Sequence, residues 1–92
     1  MTIKWSSEAR NDVDRLADFL AARDPILADE VEHELEQAPK RLPDFPRRGS
    51  RLSEFDSREV RELRVGRYVF RYELVGADIF VLRFFHARED RL

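Results

Sequence analysis

The chain has 92 residues, of which 42% are hydrophobic, 39% are charged and none is cysteine. That length supports one domain, residues 1–92, around one small core, and the absence of cysteine excludes a disulfide scaffold and a thiolate-bound zinc. The net charge of −2 hides an asymmetry. Residues 1–39 carry four cations against ten acids, a balance of −6, whereas residues 40–92 carry thirteen against nine, a balance of +4. Halves of opposite sign point to charged partners, or to acids coating the solvent faces of helices.

Residues 2–5, Thr-Ile-Lys-Trp, alternate as a short strand does. Ser6 is a natural N-cap with Glu8 in the first turn, and Ala9, Val13, Leu16 and Leu20 follow at helical spacing. Arg23-Asp24-Pro25 ends that helix, because proline disfavours helical geometry in the residue before it. Asp24 can then cap, and Pro25 open, a second helix striped with Leu27, Ala28, Val31, Leu35 and Ala38 up to Pro39. Two amphipathic helices joined this tightly form an antiparallel hairpin that needs an apolar floor. His33 stands off the stripe between Glu32 and Glu34, with no second histidine four residues away, so neither a metal site nor a cofactor is expected.

Residues 39–57 are punctuated by proline and hold a basic knot of Arg47, Arg48 and Arg51. The segment exceeds ordinary loop length, and a packed crossover pinned by Leu42, Phe45, Leu52 and Phe55 is expected.

The last third reads as three strands joined by two tight turns. Gly66-Arg67 suits a two-residue hairpin with glycine first. Val65 then faces Tyr68, Leu63 faces Phe70 and Arg61 faces Tyr72 on the side that meets the helices. The other side pairs Glu62 with Arg71 and Val60 with Glu73. The second turn, Gly76-Ala77-Asp78, leaves the final register open. A three-residue loop puts Phe80, Leu82, Phe84 and His86 under the helices; a two-residue loop puts Ile79, Val81, Arg83 and Phe85 there. The first is preferred because it keeps Arg83 off the apolar side. The opposite face would then hold Ile79, Val81, Arg83 and Phe85 with Arg71, a surface both greasy and cationic.

Three stretches now stand in a telling order: I-K-W-S-S-E-A, V-R-E-L-R-V-G-R-Y-V-F-R-Y and I-F-V-L-R-F-F-H with a brief basic tail. In that order the chain resembles the RelE/ParE superfamily of toxins from bacterial type II toxin-antitoxin modules, also called plasmid stabilisation proteins. The resemblance implies an α+β fold, β-α-α-β-β-β, with the helical hairpin on one face of a mainly antiparallel sheet. It also implies a cognate antitoxin, ParD-like or another small protein, and growth arrest when the toxin acts alone.

RelE-like members cleave messenger RNA on the ribosome, a reaction that needs an acid, a base and cations around the developing phosphorane charge. The resemblance would give Arg67 and His86 those catalytic roles. ParE-like members inhibit DNA gyrase by contact and share an Arg-x-x-His at the strand end with a short polar tail. The chain looks closer to these, and its acidic balance argues against a broad RNA-binding surface. Target contact is then expected at Arg83, His86, Arg88 and Arg91, and antitoxin contact at Arg71, Arg83, Val81 and Phe85. No sequence-specific nucleic-acid binding by the toxin alone is expected. The N-terminus lacks the apolar core of a signal peptide, and no apolar run approaches the roughly 20 residues of a membrane span, so the expected location is cytoplasmic.

Overall fold

A computed structural model of the protein describes residues 1–89. The order is β1 (Thr2–Trp5), α1 (Ser7–Ala21), α2 (Pro25–Gln37), β2 (Ser50–Arg51), β3 (Glu59–Val65), β4 (Tyr68–Val75) and β5 (Asp78–His86), with short 3-10 turns at Ala38–Asp44 and Ser53–Phe55. One sheet runs β1-β5-β4-β3-β2. β1 lies parallel to β5, and the remaining pairings are antiparallel. The architecture is the expected α+β arrangement with one short strand more, β2, at the sheet edge.

Both helix starts follow from their caps. The Ser6 hydroxyl accepts from the Ala9 N–H at 3.0 Å and donates to the Leu82 carbonyl at 2.8 Å, so one side chain caps α1 and ties it to β5. The Asp24 carboxylate accepts from the Leu27 N–H at 3.1 Å, with Pro25 opening α2. Ala9, Val13 and Leu16 of α1 and Leu35 of α2 are buried against Phe70, Tyr72, Ile79, Val81 and Phe84 of the sheet. Burying each large apolar side chain contributes about 1.5–3 kcal/mol. Phe84 lies at the centre, stacked on Trp5 at 5.1 Å and on Phe70 at 5.4 Å between ring centroids.

The β3–β4 register is the one the turn predicts: Val65 pairs with Tyr68, Leu63 with Phe70, Arg61 with Tyr72, Glu62 with Arg71 and Val60 with Glu73. Gly66 has φ 59°, which L side chains rarely adopt and a turn with glycine first requires.

The last strand departs from the expected register. Val75 pairs with Asp78, so the turn is the two-residue Gly76-Ala77, and the ladder slips once: Tyr72 faces Val81, but Arg71 faces Arg83. Leu82 is the extra residue of a β-bulge, and it reverses the faces of everything after it. Ile79 and Val81 therefore sit under the helices before the bulge, and Phe84 after it. Arg83 is kept off the apolar side, as its charge demands, by the bulge rather than by the turn. Val81 is accordingly removed from the cationic face assigned to it, being fully buried in the core.

The crossover is packed but not by all four expected anchors. Leu42 is buried, Leu52 and Phe55 are half-buried, and Phe45 is 66% exposed beneath the Arg48 guanidinium. The firmest attachment is polar. The Tyr72 hydroxyl, at the bottom of the core, donates to the Pro46 carbonyl at 2.8 Å and accepts from the Gly49 N–H at 2.9 Å. A Cβ on Gly49 would stand 2.8 Å from the Glu62 carbonyl oxygen and 2.9 Å from the Tyr72 hydroxyl, so only glycine permits this approach. Burial pushes the Tyr72 phenol above its ordinary pKa.

Candidate functional site

Most arginines of the sheet and its flanks hold carboxylates. Arg71 Nε meets Glu62 at 2.9 Å, and Arg58 grips Glu73 with two hydrogen bonds of 2.9 Å. Glu59 takes Arg61 and Arg47, which hold its carboxyl below the usual range. Arg58 does the same for Glu73.

Arg83 makes the most consequential of these pairs. Beyond Trp5, β1 no longer covers the edge of β5, and α1 supplies the missing partner. Asp12 is only 5% exposed, yet it accepts from the Phe84 N–H at 3.0 Å and from Arg83 at 2.7 and 3.1 Å. The bidentate clasp raises the Arg83 pKa further above its ordinary value, mainly through the Asp12 hydrogen bond. Arg71 and Arg83 also flank the Phe85 ring at 5.5 and 4.9 Å. The Arg71, Arg83 and Phe85 cluster assigned to antitoxin contact is thus one stack, with each guanidinium already on a carboxylate.

The opposite situation holds at the β3–β4 turn. Between the helical hairpin and this end of the sheet lies a trough of about 910 Å³, floored by Leu16, Leu20, Leu35, Val65 and Tyr68. Phe19 and Leu27 stand exposed on its wall, and Ile26 is 73% exposed at the hairpin tip. Arg67, His86 and Arg88 line its end, and the same three, with Arg64 and Ala87, enclose an adjoining cleft of about 340 Å³. Four expected residues are thereby divided: Arg67, His86 and Arg88 converge on this cleft, and Arg83 does not. Arg91 lies outside the described residues.

The charges in the cleft are held open by backbone geometry. The His86 Nδ1 accepts from the Arg88 N–H at 3.1 Å, so a neutral ring carries its proton on Nε2. The His86 ring meets Tyr68 edge-on at 5.3 Å, and the His86 N–H donates to Glu89 at 2.8 Å. Glu89 also takes the Arg15 guanidinium of α1, latching the tail to the helix. Burial pushes the Glu89 carboxyl up, but Arg15 and the His86 N–H outweigh it and hold the group below the usual range. Among the described residues, Arg64 Nε donates to the Gly66 carbonyl at 3.1 Å. Among the described residues, Arg64, Arg67 and Arg88 make no ion pair. Sequence reasoning missed Arg64 and Asp12. Nothing in the local sequence marks Arg64 among the other strand arginines, and Asp12 is one helix acid among several.

Among the described residues no helix is long and apolar enough to cross a membrane. The chain matches the family described as the ParE toxin of the type II toxin-antitoxin system parDE over residues 3–91. It is 35% identical over 92 residues to Toxin RelE1 of Caulobacter vibrioides, covering 98% of this chain and 97% of that protein. Its fold is similar to a solved chain of the chromosomal ParDE toxin-antitoxin system from P. aeruginosa, with a TM-score of 0.78, 21% identity and coverage of 94% and 95% of the two chains. The α-hairpin on an open mixed sheet and the match along nearly its whole length agree: the chain belongs to the ParE toxin family of type II toxin-antitoxin systems.

Proposed function

We propose that the protein arrests growth by binding DNA gyrase, and that a cognate antitoxin relieves the arrest by covering the same surface. The observation carrying this reading is the trough. It offers a broad apolar floor ending in guanidiniums that hold no carboxylate among the described residues, the composition of a protein-docking surface. Arg67, His86 and Arg88 are the target contacts, with Arg83 reassigned to holding α1 on the sheet. The cations spread along the sheet are neutralised by Glu59, Glu62, Glu73 and Asp12, leaving a local cationic spot in place of an extended phosphate track. Purified protein is expected to inhibit gyrase supercoiling of relaxed plasmid, and stoichiometric antitoxin to restore it. Unchanged supercoiling together with cleavage of ribosome-bound messenger would overturn the proposal.

One observation favours the RelE-like alternative. Arg67 and His86 do share one cleft with Arg64 and Arg88, a grouping that could meet a scissile phosphate. Under that reading His86→Gln abolishes messenger cleavage on purified ribosomes. Under the gyrase reading the same substitution weakens inhibition by a modest factor, because the ring contributes a contact and no proton transfer.

A further inference from the structure

The polar atoms around the small cleft divide unevenly between donors and acceptors. Its walls are Arg64, Arg67, His86, Ala87 and Arg88, so among the described residues no carboxylate lines it. The three guanidiniums can only donate. The backbone after β5 folds back on the histidine. The Ala87 N–H donates to the Arg67 carbonyl at 2.8 Å, the Glu89 N–H to the His86 carbonyl at 2.9 Å, and the Arg88 N–H to His86 Nδ1 at 3.1 Å. The last of these decides what the ring can do. With Nδ1 committed as an acceptor, the neutral ring keeps its proton on Nε2, and its other nitrogen is a donor too.

We infer that the cleft is a donor-only seat for an oxyanion, in which His86 supplies its Nε2–H as a fixed donor, transfers no proton, and is held in that tautomer by the Arg88 backbone. A general base needs an unprotonated nitrogen facing its substrate. For Nε2 to become one, the proton must move to Nδ1, where it would meet the Arg88 N–H head-on. A general acid needs the doubly protonated ring, which sets the same two donors face to face. Either role therefore breaks the contact that orients the ring. The neighbouring titratable groups do not replace it. Glu89 has one carboxylate oxygen on the His86 N–H and the other on Arg15. Burial pushes the Tyr68 phenol above its ordinary pKa, so it keeps its proton, and it meets the ring edge-on outside the cleft lining. What remains is binding, and charge-assisted donors bind an oxyanion more strongly than neutral ones. The inference does not rest on gyrase as the target. It bears on the alternative reading as well: a phosphate can be held here, but the cleft supplies neither the acid nor the base.

The test uses the purified full-length chain, with inorganic sulfate as the probe because its charge is constant while histidine titrates. Proton–nitrogen NMR spectra of the wild type, recorded where the ring is neutral, should show His86 protonated on Nε2 alone. Sulfate should then shift that Nε2–H signal together with the side-chain signals of Arg64, Arg67 and Arg88. Two variants separate the ends of the ring. His86→Asn keeps an acceptor for the Arg88 N–H and drops the distal donor, so the Arg88 amide signal should stay near its wild-type position while sulfate binding weakens about fivefold. His86→Gln keeps a distal donor and drops the acceptor, so the Arg88 amide signal should move while sulfate binding weakens only about twofold. A neutral ring protonated on Nδ1 overturns the inference, and so does sulfate that shifts none of the four side chains; both are read on the wild type and need no variant to fold. Messenger cleavage on purified ribosomes whose rate follows the His86 titration overturns it too. A chain that leaves gyrase uninhibited while showing the Nε2–H tautomer and the sulfate shifts defeats the gyrase proposal and leaves this inference standing.

Discussion

The middle of the sheet and its β3–β4 turn end use the same side chain for opposite purposes. In the middle, Arg58, Arg61, Arg71 and Arg83 each hold a carboxylate and keep the sheet faces and the α1 contact in register. At the turn end, Arg64, Arg67 and Arg88 surround a cleft and hold none among the described residues. A guanidinium on a carboxylate contributes to folding and has little left for a ligand; one without a carboxylate contributes little to folding and keeps its full charge for binding. The contrast predicts that stability and binding separate cleanly along one strand pair.

The comparison is broken most directly at Asp12. Asp12→Ala strands the Phe84 N–H and the Arg83 guanidinium at once, and the expected loss is about 3 kcal/mol in urea unfolding. Asp12→Asn keeps an acceptor for the Phe84 N–H and should lose about half as much. A loss below about 0.5 kcal/mol for the alanine variant would show that α1 stays on β5 through apolar packing alone. Tyr72→Phe comes next. It leaves the buried Gly49 N–H without its acceptor and should cost about 1–3 kcal/mol, with wild-type stability meaning that the crossover finds another anchor. Glu62→Gln tests a partly exposed pair and should cost about 1 kcal/mol or less, a value that salt reduces.

Acid titration sharpens the same division. Glu59, Glu73 and Glu89 all have carboxyls held low by arginines or backbone donors in the folded chain. A group depressed on folding stabilises above its unfolded pKa, near about 4, and loses that contribution as pH falls through the folded value. Unfolding free energy should therefore be flat from neutral pH down to the unfolded carboxyl range and drop below it. Glu89→Gln should make the drop shallower, and an unchanged slope would mean that the latch to Arg15 forms equally in the unfolded chain.

How much of this was legible depended on whether the signal was local. Gly66-Arg67 announces a two-residue turn, and one turn sets the whole β3–β4 register, including the Glu62–Arg71 pair. Ser6 and Asp24-Pro25 announce the helix starts in the same way. The β5 register was not legible, because a bulge at Leu82 carries no glycine or other marker. The only hint was energetic: Arg83 had to leave the apolar face, and either a longer turn or an extra strand residue could remove it. The partner of Arg83 lies 71 positions away and no spacing rule reaches it. Phe45 was misread for the opposite reason. An aromatic between prolines looks like an anchor, whereas here the tyrosine hydroxyl and Gly49 do the anchoring and leave the ring outside.

The smallest expected effect is the most diagnostic. Arg64→Gln, Arg67→Gln and Arg88→Gln remove charges that are exposed and make no ion pair among the described residues, so each should change stability by less than about 0.5 kcal/mol. Arg71→Gln, on the same sheet and with the same chemistry, should destabilise more than any of them, because it removes a charge-assisted hydrogen bond to Glu62 at a half-buried position. Thermal melts of the four variants at one pH decide the matter, since they share the change in net charge. If the turn-end variants melt as low as Arg71→Gln, their guanidiniums are structural and the cleft is not held open for a partner. If one of them melts above the wild type, mutual repulsion among the three cations is relieved by the change, which is the signature of charges brought together for binding rather than for folding.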